Sequence, residues 1–114
     1  MPDIVHIEVT FKNRSYTPSV YMEQAVQEIL PMYEHRVTYS RLDIRTEEGR
    51  NRFLTLSCSL FGEKGVYINH RLAPIPGLFM DGELAFDLIP SRPELEEAIE
   101  KQLSRVSLAG DSSQ

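Results

Sequence analysis

Cys58 is the only cysteine of the chain, and so its only thiol, the side chain most readily used as a nucleophile or redox group. A single thiol forms no intramolecular disulfide. What it can do is reduce a peroxide, exchange with glutathione, or pair with the Cys58 of a second copy. Around it the chain reads LTLSCSLFG, with no Lys, Arg or His within four positions to favour a thiolate. The expected role is a small residue in the core or at an interface, with a reactive thiol as the alternative. The remaining polar residues offer less. His6, His35 and His70 are scattered, without metal-ligand spacing, and no metal site or cofactor is expected. Arg41, Arg45, Arg50 and Arg52 could bind an anion, but they straddle a predicted strand and helix and should pair with neighbouring acids. The stretch FGEKG at 61–65 lacks the trailing Lys-Ser/Thr of a phosphate loop. Glu94, Glu96, Glu97 and Glu100 read as the solvated face of a helix.

The totals narrow the class. A chain of 114 residues holds one core, expected over 1–106, with a small polar tail at 107–114 expected to be disordered. A net charge of −5 argues against nucleic acid or anionic membrane as a partner. No apolar run approaches the roughly 20 residues of a membrane span. MPDIVHIEV has no basic n-region or long apolar region, so no signal peptide is expected, and the expected compartment is the cytoplasm.

The elements follow from periodicity. Residues 4–11 alternate, with Val5, Ile7, Val9 and Phe11 on one face: strand β1. Thr17-Pro18 suits a helix start, and Tyr21/Met22, Ala25/Val26 and Ile29/Leu30 recur at helical spacing to about 34, with Pro31 kinking or ending the helix. Residues 37–44 form β2, and the intervening helix makes β1 and β2 parallel. Thr46-Glu47-Glu48 opens a helix over 47–62, with Gly49 weakening its first turn and Gly62 as its stop. Residues 65–71 read as a connector, with 66–68 extended. Asp81-Gly82 between LFM and LAF predicts a hairpin, about 77–81 and 84–88, since both turn residues need positive φ. Ser91 and Glu94 form a capping box for a last helix, about 92–104.

The resulting order is β1-α1-β2-α2-β3-β4-α3, and Ile75-Pro76 stands just before the hairpin. This resembles the thioredoxin fold over roughly residues 3–104. The resemblance implies an α/β domain with a mixed four-stranded sheet, β2-β1-β3-β4, and helices on both faces. It also implies a cis Pro76 beside the start of the first helix. Redox-active members carry Cys-x-Pro-Cys there; the matching residues are Tyr16-Thr17-Pro18-Ser19. The proline is kept and both cysteines are replaced by oxygen side chains, so dithiol exchange at this site is ruled out.

Three functions fit these residues. The first is a redox-inactive binding or adaptor module, with Tyr16, Thr17, Pro18, Ser19, Ile75 and Pro76 forming a groove for a partner protein or peptide. The second is a single-cysteine enzyme using Cys58, a peroxidase or a glutathione-dependent transferase. The third is a self-associating structural subunit. On the helix 47–62, Phe53/Leu56/Leu60 and Leu54/Cys58/Phe61 form two adjacent stripes, wider than one sheet face needs. Either the connector or a second copy must cover the surplus, which makes a homodimer through this helix an expectation.

Overall fold

The computed structural model describes residues 4–112, and for 108–112 the backbone alone. β1 (Val5–Phe11) is central. It pairs in parallel with β2 (Val37–Asp43) and antiparallel with β3 (Leu78–Met80), which pairs with β4 (Glu83–Phe86), giving the order β2-β1-β3-β4. The expected sheet and element order are therefore present. The hairpin turn places Asp81 at φ 51° and Gly82 at φ 86°, the conformation for which Asp-Gly is suited.

The alternation of β1 divides the molecule. Val5, Ile7, Val9 and Phe11 are buried under α1 (Thr17–Ile29) and α3 (Arg92–Ser112), together with Met22, Val26, Leu95 and Ile99. The opposite face meets α2 (Glu47–Tyr67) through Leu42, Phe53, Leu56, Ala73 and Phe79. Helices thus cover both faces. Among the described residues no helix is long and apolar enough to cross a membrane.

Several local expectations need correction. α1 ends at Ile29, and Pro31 lies in a 3-10 turn, Leu30–Tyr33, instead of the last α-helical turn. Thr17 is the first helical residue and not the cap. Tyr16 holds the cap position without a side-chain bond, and Asn13 Oδ1 instead accepts from the Ser15 and Tyr16 amides. Thr46 does cap α2, its Oγ1 accepting from Gly49 N at 2.9 Å. Gly49 is there for space: a Cβ would sit 1.9 Å from the Asp43 carbonyl oxygen. Gly62 breaks the helical path at φ 76°, but the chain resumes helical geometry to Tyr67, so 66–67 are helical and not extended, and the link to β3 runs over 68–77. α3 has its capping box, with Ser91 N to Glu94 Oε1 at 3.1 Å and Glu94 N to Ser91 Oγ at 3.3 Å. Its backbone runs past the expected end at 104 to Ser112. Of the tail expected to be disordered over 107–114, residues 113 and 114 lie outside the described residues.

Candidate functional site

β1 carries polar residues on its α2-facing side, and these set the geometry of the site. Thr10 is fully buried. Its hydroxyl donates to the Pro74 carbonyl at 2.8 Å and accepts from the Gly77 amide at 2.7 Å, while Thr10 N donates to Gly77 O at 3.0 Å. One side chain on the central strand thereby holds both ends of the loop Pro74–Gly77. Within that loop the Ile75–Pro76 peptide bond is cis. Gly77 has no room for a side chain, since a Cβ would lie 2.8 Å from Pro74 O.

Tyr16 reaches this loop from the start of α1. Its phenol donates to the Ile75 carbonyl at 3.2 Å, and the Lys12 ammonium lies 5.1 Å from its ring centroid. Ile75, Pro76, Tyr16 and Pro18 are half-buried and Thr17 is exposed. Among the described residues no group accepts from the Ile75 amide. Ser19 differs from the other expected site residues: it is fully buried, its Oγ donating to Thr10 O and accepting from Lys12 N, both at 3.4 Å. It supports the junction between β1 and α1 and offers no hydroxyl to a partner. The chain therefore joins Tyr16 to Ile75 and turns Ser19 inward.

Two buried carboxylates flank the sheet, each held by an arginine fork. Glu23 on α1 accepts from Arg41 Nε and Nη2 at 2.8 and 2.6 Å and from the Tyr39 hydroxyl at 2.6 Å. The Arg41 guanidinium also stacks 4.2 Å from the Phe11 ring centroid. The bonds from Arg41 hold the Glu23 carboxyl below the usual carboxylate range, and burial with the Glu23 charge raises Tyr39. On the other face Glu8 accepts from Arg52 Nε and Nη2, both at 2.9 Å. Arg45 pairs with Asp43 at 2.9 Å. Of the four arginines that could have held an anion, Arg50 alone makes no ion pair among the described residues.

Cys58 lies on the outer face of α2, half-buried and outside both core clusters, so of the two expected places, core or interface, it is not in the core. Its neighbours in a surface groove are Asn51, Leu54, Thr55, Ser59, Glu63 and Tyr67, with no cation or imidazole among them and no residue of the Tyr16/Pro76 site. His6 Nδ1 lies 2.7 Å from Thr38 Oγ1, and His35 and His70 occupy turns at positive φ. Among the described residues no group of three or more His, Cys, Asp or Glu is placed to hold a metal ion.

Glu8 and Thr10 were not singled out from the sequence as site residues. The signal was present: two polar residues alternate with β-branched ones in a strand that is central. An acid and a hydroxyl in that position need buried partners. Compared with protein-family models and with curated proteins, the chain matches none.

Proposed function

We propose that this chain is a thioredoxin-like binding module without dithiol chemistry, which receives an extended segment of a partner protein along the loop 74–77 beside Tyr16. The observation that carries the reading is the Ile75 amide, which has no acceptor among the described residues, on a loop held at both ends by Thr10. A free amide on a loop pinned at both ends is what a peptide carbonyl adds to in strand-like recognition, and rigidity lowers the ordering cost of binding. The Ile75 carbonyl has two lone pairs, so it can keep the Tyr16 hydroxyl and still accept from a peptide amide. The Tyr16 ring supplies a flat apolar wall and Lys12 a positive rim suited to an acidic or carboxylate-bearing segment.

The single-cysteine enzyme is the weaker reading, since the groove around Cys58 holds no cation or imidazole to favour a thiolate or bind a glutathione carboxylate, and its one ionisable neighbour besides Tyr67 is the acid Glu63.

Random-peptide display against the full chain, followed by amide NMR titration with an enriched peptide, tests the binding reading. The Ile75 amide resonance should shift downfield on saturation, and Tyr16→Ala should weaken binding by about tenfold, as loss of a central aromatic contact does. Peptides that bind Tyr16→Ala as well as the parent, or that leave Ile75 unmoved, would place the partner surface elsewhere.

A further inference from the structure

The outer face of α2 carries a groove of about 560 Å³ whose apolar floor is Leu54, Cys58 and Tyr67. Beside it Phe61 is 38% exposed, Tyr67 60%, Ile68 63% and Leu72 50%. Together these four leave roughly 400 Å² of large apolar side chain in water, the size of the largest patch on a typical monomer, which is often functional. The surplus stripe on this helix thus lies outside both core clusters, and the residues after Gly62 cover it only in part: Glu63 and Tyr67 line the same groove, and the Arg71 guanidinium lies 5.8 Å from the Phe61 ring centroid.

We infer that this face pairs with a second copy of the chain, the two α2 helices crossing antiparallel about a two-fold axis near Cys58. A two-fold interface must be complementary to itself. The charges along α2 meet that condition in the antiparallel sense. Glu47 and Glu48 lie at its start and Lys64 near its end, with Arg71 just beyond; an antiparallel crossing sets each acidic end against the basic end of the other copy. The same crossing brings Arg50 towards Glu63 of the second copy, and neither makes an ion pair among the described residues. A parallel crossing would oppose like charges and align the helix dipoles. With its polar rim the patch approaches the roughly 800 Å² per partner of a standard interface from below, which fits a dimer of about micromolar affinity. The surface shares no residue with the Tyr16/Pro76 groove, so the inference stands apart from the peptide reading.

Sedimentation equilibrium of the full chain from about 1 to 200 µM, the range that brackets micromolar affinity, is the test. The 13.1 kDa chain should show a monomer–dimer equilibrium. Tyr67→Glu, at a side chain that the fold does not bury, should raise the dissociation constant at least tenfold, as for a central aromatic contact. Arg50→Glu and Glu63→Arg should each raise it about three- to tenfold, because each exposed pair is broken twice by symmetry. The two changes in one chain should return it to within about twofold of the parent, as restored pairs do. A monomer at the highest concentration overturns the inference and leaves the face to a different protein. A dimer that withstands Tyr67→Glu, or a double variant no tighter than the single ones, overturns it too.

Discussion

Replacing Thr10 by valine keeps the shape of a fully buried side chain and removes the hydroxyl that holds the loop 74–77. Two groups lose a partner. The Gly77 amide is buried, and leaving it without an acceptor costs about 1–3 kcal/mol. The Pro74 carbonyl is only part-buried and can regain water, so its loss adds about 0.5 kcal/mol. Thr10→Val should therefore destabilise the domain by about 2–3 kcal/mol, or lower the melting temperature by roughly 8–12 °C for a chain of this size. Thr10→Ser retains the hydroxyl and deletes a methyl group, at about 1 kcal/mol. Urea unfolding of the three proteins, with the slope unchanged, gives the differences directly. Hydrogen exchange at Gly77 should accelerate in Thr10→Val and stay close to the parent in Thr10→Ser. Were valine tolerated within about 0.5 kcal/mol, or were serine the more damaging change, the hydroxyl would not be what holds the loop, and the rigidity invoked for peptide binding would lose its basis.

Glu23→Gln should lower stability by about 1–3 kcal/mol at neutral pH, because it leaves the half-exposed Arg41 and the Tyr39 hydroxyl without their anionic partner. The folded Glu23 carboxyl titrates below the ordinary 4.5, so its contribution is complete above that value and is lost as pH falls through the lower folded value. Urea unfolding as a function of pH should show the parent losing more stability than Glu23→Gln between pH 4.5 and the acid limit; parallel curves would count against the pairing. Gly49→Ala should destabilise by about 1–3 kcal/mol, although alanine is normally better in a helix, since its Cβ would meet the Asp43 carbonyl at 1.9 Å; a gain in melting temperature would show that the 43–49 turn moves freely. The chain should show no turnover in an insulin-reduction assay with or without a reductase, whereas Tyr16→Cys with Ser19→Cys should form a reducible disulfide if 16–19 matches the thioredoxin tetrapeptide; failure to oxidise under air would contradict that register.

What depends on neighbours along the chain was legible from the residue order alone. Alternation in β1, the Asp81-Gly82 turn, the Thr46 cap and the Ser91/Glu94 box each involve groups a few residues apart, and each formed as their local chemistry requires. Element order then left few ways to arrange four strands, and the sheet took the expected one. The tertiary structure decided what depends on contacts between distant segments. Thr10 meets Gly77 across 67 residues and Glu8 meets Arg52 across 44, and no periodicity encodes such pairs. Gly49 looked like a weak point in a helix until the Asp43 carbonyl was found against it. Ser19 was expected at the edge of a binding groove, yet its buried hydroxyl holds β1 to α1. The second stripe of α2 was visible as a pattern, but the helical turn after Gly62, which leaves Phe61, Tyr67 and Ile68 in water, was not. Side chains find partners only once the backbone has brought segments together, and a buried polar group then takes whichever complementary group lies within reach.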